Sequence, residues 1–375
     1  MTPRDLLLAV RSDALAFSEP RARVREALAA MPRPTKRVRA IAVGKAAGAM
    51  LEGARDAWSL APDEGRTFGG AHPVPDRTSI DAAEAALAFA ASGGDAIRLF
   101  LVSGGASAML CAPYADFSLA GKQDVTRALL RAGLDVARIN VVRAHLSRIK
   151  GGGLAKAAGD HPRITVVVSD VLFGDASAVG SGPSLPDAST VEDARRIAES
   201  AGLFGLPLHE TPKDLAPAPC VVASSPEVLA RAATAALEQR GFSVTVLAPS
   251  IASVDELATE YVQTATSMAP RTAVVRVAEP SLVVPASAGR GGRSTHLAAR
   301  VAQSLPPGVA FLAAASDGVD GVSGTAGAIV TGPIDGADNA IARFDTGELH
   351  LRAGTAIAEH PTGNNLADLH VVLRR

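Results

Sequence analysis

Glycine-rich turns that follow apolar runs hold most of the residues whose chemistry could matter. In "VGKAAG", Lys45 stands two residues past the end of the run Ala40–Val43, where a charge is costly unless it meets an anion or snorkels out to water. In "LVSGGASAML", a strand candidate ends at Ser103. Gly104 and Gly105 follow, and with Ser107 this turn offers hydroxyls and N–H groups to a carboxylate or phosphate, or simply starts a capped helix. "INVVRAHLSRIKGGG" puts Arg143, Arg148 and Lys150 beside another turn, although basic residues near a helix C-terminus are also a common structural device. In "SDVLFGD", Asp170 comes directly after a strand and Asp175 five residues later. Such carboxylates can hold Mg²⁺, take a proton from a hydroxyl, or cap a turn. "AGRGGRSTH" sets Arg290 and Arg293 among Gly289, Gly291 and Gly292, a pattern suited to clamping phosphate; His296 reads as a surface residue. In "ASDGVDGVSG", Asp317 and Asp320 again follow a strand. Their spacing is not that of an EF-hand, and a nucleotide-phosphate or Mg²⁺ site suits them better. Thr362, Asn364 and Asn365 in "HPTGNNLADL" could line a cleft.

These turns need strands to hold them. Val38–Val43, Ile97–Val102, Ile164–Val168, Cys220–Ala223, Val244–Leu247, Ala273–Val277 and Val309–Ala313 are apolar and rich in β-branched residues. They alternate with helical patterns, which predicts an α/β fold with mostly parallel sheets. Ligands in such folds bind at the carboxyl ends of strands. "TVED" at Thr190 and "SSPE" at Ser224 predict helix starts. The last stretch, from "ELHLRAG" to "LHVVLRR", reads as short strands around a Gly/Pro/Asn loop. The proline-rich "HETPKDLAPAPC", 209–220, suggests domains 1–215 and 216–375; "SMAPRT", 267–272, is the runner-up boundary.

Composition narrows the function classes. The 375 residues are 47% apolar and only 3% aromatic, so the core must be built from Ala, Val, Leu and Ile. A formal net charge of −1 gives no basic surface for nucleic acid. Cys111 and Cys220 lie far apart, without metal-type spacing or a disulfide framework, and their rarity fits a reducing compartment. The start, "MTPRDLLLAVRSDALAF", is too charged for a signal peptide, and no stretch approaches the roughly 18 apolar residues of a membrane span. A cytoplasmic protein acting on a small molecule is expected, with no nucleic-acid or membrane partner and a homodimer left open as its assembly. Neither GxGxxG nor GxxxxGK[ST] is present, so the two common nucleotide fingerprints are missing.

The order of the motifs says more than any one of them. VGKAAGAM, GAHPVPD, LVSGGASAMLCAP, INVVRAHLSRIKGGGLA, SDVLFGD…SGPSLPD, GRGGRSTHLA, SDGVDGVSGTAGAIV and HPTGNNLADL run along nearly the whole chain. The series resembles the glycerate 2-kinase family, with a DUF4147 N-terminal domain and a MOFRL C-terminal domain. The resemblance implies a Rossmann-like α/β/α sandwich with a mostly parallel sheet, followed by an α/β MOFRL domain, with the active site in the interdomain cleft. It implies ATP- and Mg²⁺-dependent phosphorylation of D-glycerate at O2. Lys45 and Arg293 match lysine and arginine residues regarded as active-site groups in the family, and Asp170 and Asp175 match its acids. With the turns above, this gives Lys45, Asp170 and Arg293 as catalytic and Asp170 and Asp175 as metal ligands. Ser103, Gly104, Gly105, Ser107, Arg143 and Lys150 are expected around the substrate, and Gly291, Gly292, Asp317, Thr362 and Asn364 around the nucleotide. The chain departs from the family pattern where Asn-Gln-Glu gives way to Ser-Thr-His after Arg293, and it lacks the acid that commonly precedes this motif. A kinase for another small hydroxy or sugar acid, a hydroxypyruvate reductase and a non-catalytic metabolite-binding relative are the alternatives.

Overall fold

The computed structural model describes residues 1–375. The chain forms two units, one of Pro20–Ala223 and one of Met1–Glu19 with Ser224–Arg375. In the first, β1 (Val38–Val43), β2 (Gly65–Phe68), β3 (Ile97–Ser103), β4 (Arg163–Val168) and β5 (Cys220–Ser224) form a sheet in the order β2-β1-β3-β4-β5. β1 runs parallel to β2 and β3, and β3 parallel to β4. β1, β3 and β4 are buried along nearly their whole length, so they read as unbroken apolar runs. Ile41, Val43, Phe100, Val102 and Val167 pack against Ala83, Ala86 and Phe89 of the helix Arg77–Ala91. Register puts Val43 beside Val102 and Ser103 beside Val168. Gly44, Gly104 and Ser169 therefore leave the sheet along one edge, the carboxyl edge where α/β proteins bind ligands.

The second unit holds β6 (Ser243–Val246), β7 (Thr272–Ala278), β8 (Val309–Ala315), β9 (Thr325–Val330), β10 (Ala356–Ala358) and β11 (Asp368–Arg374), in the order β10-β9-β8-β11-β7-β6. Only β6 and β7 pair in parallel; the other neighbours are antiparallel. This departs from the expectation of mostly parallel sheets. A strand buried on both faces reads as the same apolar run whichever way its neighbours point. "ELHLR" is also helical, within Thr346–Arg352, not a strand. Its His350 is fully buried, one ring nitrogen 2.8 Å from Thr355 Oγ1 and the other 3.0 Å from the Thr295 carbonyl. No helix is long and apolar enough to cross a membrane.

The units do not divide at 215/216. The helix Pro3–Phe17, capped by Thr2 and Asp5, buries Leu6, Leu7, Val10 and Ala14 and belongs with the C-terminal unit. Arg4 donates to the Thr355 and Ala356 carbonyls at 3.0 and 2.6 Å, and Asp13 pairs with Arg240 at 2.7 Å. The proline-rich stretch stays with the first unit. His209 N–H donates to the His145 carbonyl, Thr211 Oγ1 to Asp187, and Thr165 N–H to the Pro219 carbonyl, each at 2.9 Å. Proline holds a chain extended, and extended chain can lie beside a sheet as readily as it can link domains. The helix Pro226–Glu238 is capped by Ser225, which leaves Ser224 Oγ to donate to the Ser18 carbonyl at 3.0 Å.

Candidate active site

At the carboxyl edge of the first sheet, Gly44 turns the chain with φ +101°, and a Cβ there would lie 2.4 Å from the Ser103 carbonyl oxygen. Only glycine fits, and it draws two turns together. Lys45 N–H donates to the Gly104 carbonyl at 2.9 Å. Ser103, 1% exposed, donates from Oγ to the Val43 carbonyl at 3.2 Å and accepts from Ala46 N–H at 3.0 Å. Its hydroxyl is thus used within the fold: Ser103 shapes the turn and offers nothing to a substrate. Lys45 is exposed, and its stem lies against Gly105, where an added Cβ would sit 3.0 Å from Lys45 Cγ and 3.3 Å from the His72 ring. Partial desolvation, and then the Lys45 charge, hold the His72 imidazole below its ordinary pKa. Sequence reasoning did not single out His72, although "AHPVP" marks a histidine in a stiff turn.

Asp170 follows β4 and is half-buried. Burial pushes its carboxyl above the usual range, while its own backbone N–H and the Lys45 charge pull it down. Lys45, His72 and Asp170 therefore share one electrostatic environment, and a raised pKa makes a carboxylate a better base near neutrality. Asp175 sits apart in role: exposed, it accepts from Ser177 N–H at 2.8 Å and from the Ser177 hydroxyl, capping the short helix Ala176–Ser181. No three His, Cys, Asp or Glu side chains converge into a metal cluster anywhere in the chain.

Behind this edge, Ser107 Oγ lies 3.0 Å from Ser181 Oγ, and Ser181 Oγ donates to Asn140 Oδ1 at 2.9 Å. Lys150, 1% exposed, donates to the Ser107 carbonyl at 2.9 Å, Ser107 Oγ at 2.6 Å and the Gly180 carbonyl at 3.4 Å. Its ammonium is enclosed, so Lys150 positions Ser107 instead of reaching an open site. Arg143 is half-buried and Arg148 pairs with Glu84 on the surface.

In the second unit a cavity of about 470 Å³ opens at the carboxyl ends of β7 and β8 and the start of β11. Arg293 begins the helix Arg293–Ala302 and lines the cavity, its side chain 42% exposed. Gly291, Gly292 and Asp317 line it too, as do Phe344 and Asn365. The glycines serve packing first. A Cβ on Gly292 would lie 2.2 Å from Asp320 Cγ. Asp320, 3% exposed, accepts from Ser294 and Thr295 N–H at 2.9 and 2.8 Å and caps that helix. Those N–H groups are therefore not open to phosphate; Arg293 is the cation the turn presents. Thr362 donates to the Ser316 carbonyl at 2.5 Å, and Asn364 donates to the Leu15 carbonyl at 3.2 Å, so both tie the loop down, and neither is among the residues lining the cavity. His296 is not on the surface: it is 3% exposed, 5.0 Å from the Phe344 ring, and burial pushes its pKa down to about 4. The acid that sequence reasoning passed over is Asp368, in the last motif. It is 3% exposed, its Oδ1 lies 3.5 Å from Arg293, and its Oδ2 has no partner.

Residues 6–210 match DUF4147, a domain of unknown function. The chain belongs to that family. Residues 272–368 match the MOFRL family, as expected from the order of the motifs. The DUF4147 segment carries Lys45, His72, Asp170 and the Ser107 network; the MOFRL segment carries Arg293, Asp317 and Asp320 and ends on Asp368. A putative hydroxypyruvate reductase from Agrobacterium vitis is 30% identical, matched over 100% of this chain and 95% of its own length. A D-glycerate 2-kinase from Thermotoga maritima is 29% identical over 83% of this chain and 80% of its own length. The crystal structure of a glycerate kinase from Thermotoga maritima superposes with a TM-score of 0.88 at 26% identity, covering 99% of both chains.

Proposed function

We propose that this chain is a glycerate kinase that transfers the γ-phosphoryl group of ATP to the 2-hydroxyl of D-glycerate, giving 2-phosphoglycerate and ADP. Relatives and a structural neighbour named glycerate kinase support the kinase reading. The observation that carries the site is the half-buried Asp170 beside Lys45 at the carboxyl edge of a parallel sheet. Phosphoryl transfer asks for positioning and charge neutralisation more than for covalent chemistry. Asp170 orients the 2-hydroxyl and takes its proton as the O2–P bond forms and the bond to the leaving ADP oxygen breaks. Lys45 balances negative charge on the transferring group, and Arg293 binds phosphate oxygens of the nucleotide, with Asp317 and the glycine turn around it. A kinase Mg²⁺ typically rests on one or two carboxylates, phosphates and water. Asp170 fits that need, and Asp175 adds at most the oxygen its helix cap leaves free. When bound, Mg²⁺ neutralises phosphate charge.

The name of the Agrobacterium relative favours a second reading, reduction of hydroxypyruvate with a nicotinamide cofactor. Against it, β1 runs into Gly44-Lys45-Ala46-Ala47-Gly48 and not a GxGxxG turn. A panel of 2-hydroxy acids with MgATP, read by ADP release, beside hydroxypyruvate with NADH, read by NADH loss, separates the two. ADP release with D-glycerate is expected. NADH loss without ADP release would overturn the kinase reading, and full turnover by Lys45→Ala and Arg293→Ala would overturn the site.

A further inference from the structure

The first unit encloses two lysines and half-buries an arginine, and no acid is among the groups that act on them. Lys122, in the helix Leu119–Arg131, is 4% exposed, and its ammonium reaches only the Leu146 carbonyl, at 3.4 Å. Lys150 is held by Ser107 and Gly180 as described. Arg143, in the helix Val136–His145, has a buried Nε without a partner. Burial, and then Arg143 and Lys122, push the Lys150 pKa well below the lysine range. Burial pushes Lys122 down to about 8, with Arg143 adding to it. The only group that opposes these shifts is the thiol of Cys111, itself 1% exposed. Cations drawn out of water beside one another are destabilising unless a counter-charge arrives. Folded chains usually place an acid there, and this one does not.

We propose that the Lys122–Arg143–Lys150 cluster is the subsite for the carboxylate of a small hydroxy acid. That identity rests on the kinase reading; that the cluster takes an anion does not. Asn140 and Arg143 are three residues apart, so they share one face of their helix. The Ser107–Ser181–Asn140 hydrogen bonds bring the β3 turn to that face. The Arg143 guanidinium, a planar fork that matches two carboxylate oxygens, makes the direct contact. Lys122 supplies charge, and Lys150 is a positioning residue that acts through Ser107.

The intact chain is titrated by calorimetry, without nucleotide, with D-glycerate, with glycerol, which lacks the carboxylate, and with inorganic phosphate. Melting is recorded for each. D-glycerate binds and raises the melting temperature; glycerol does neither. Arg143→Met removes an unpaired cation, so ligand-free Arg143→Met melts at or above the wild type while its affinity for D-glycerate falls about tenfold to a hundredfold. Lys122→Met follows the same pattern with a smaller loss. In the coupled assay the change falls on KM for the hydroxy acid more than on kcat. Wild-type affinity for D-glycerate in both variants overturns the proposal. So does lost binding in variants that melt lower than the wild type, the mark of a structural role. Binding of phosphate in place of D-glycerate, abolished by Arg143→Met, overturns the carboxylate assignment. D-glycerate binding that needs Arg143, in a chain that releases no ADP, sustains this proposal and overturns only the kinase reading.

Discussion

Asp368 gives the sharpest physical test. It opens β11 at the cavity of the second unit, 3% exposed, with one carboxylate oxygen lacking any partner. Burial drives its pKa from an ordinary 3.8 up to about 7; Arg293 opposes this, while Asp320, Glu279 and Asp317 add to it. At 3.5 Å from a side chain 42% exposed, the Arg293 contact is at the edge of hydrogen-bonding range, so burial outweighs pairing. A carboxyl whose folded pKa lies above its unfolded value favours folding while protonated. Its contribution is complete below about pH 4 and is lost as pH rises through about 7. Three pH units at about 1.4 kcal/mol each put the loss at about 4 kcal/mol. Asp368→Asn keeps the shape and cannot ionise. Calorimetric melting of both proteins from about pH 4 to about pH 9 isolates this group, because the other titrations cancel in the difference. The variant should gain on the wild type steadily between about pH 4 and about pH 7, by on the order of 10 °C for a unit of this size, and hold that gain above. A melting difference that does not change with pH would refute the reasoning.

Three further outcomes follow from contacts already described. Gly292→Ala drives a methyl into the Asp320 carboxylate, so the cap of the helix Arg293–Ala302 is lost and stability falls by about 2–4 kcal/mol; a wild-type urea midpoint would contradict this. Lys45→Met removes a charge that presses on His72, so the His72 imidazole titrates at higher pH by NMR at low salt, and an unmoved titration would separate the two residues. Arg4→Ala removes the donor to the Thr355 and Ala356 carbonyls, lowers stability by about 1–3 kcal/mol and speeds proteolysis after the first helix; unchanged cleavage would show that the helix is held by its apolar face alone.

The sequence made the strands of the first unit legible because β1, β3 and β4 are buried on both faces and carry uninterrupted aliphatic runs. β2 escaped because only Gly65 and Phe68 of its four residues are buried, too little for either period to register. β9, "TAGAIV", is wholly buried, yet its small residues and preceding glycines resemble a loop. Glycine-rich turns do lie at the carboxyl ends of strands, since a strand that stops in glycine must turn there. The partition of labour inside those turns was not legible. Ser103, Lys150 and Thr362 look like ligand-binding residues by type, but each spends its side-chain donor on groups far away in sequence, and Asn364 spends its amide N–H₂ on the Leu15 carbonyl. His72, Lys122 and Asp368 were passed over for the converse reason. Nothing local distinguishes a buried charge from a solvated one, and the burial that perturbs them comes from segments many residues distant.

The first helix has a consequence for how the chain is made. Its apolar stripe of Leu6, Leu7, Val10 and Ala14 docks within a unit whose remaining residues begin at Ser224. A ribosome adds roughly 5–20 residues per second. The helix therefore emerges about 10 to 40 seconds before the segment that covers it begins to follow, while the whole intervening unit is synthesised. During that interval it is an amphipathic segment on a nascent chain with its greasy side uncovered, open to chaperones and to neighbouring nascent chains on the same message.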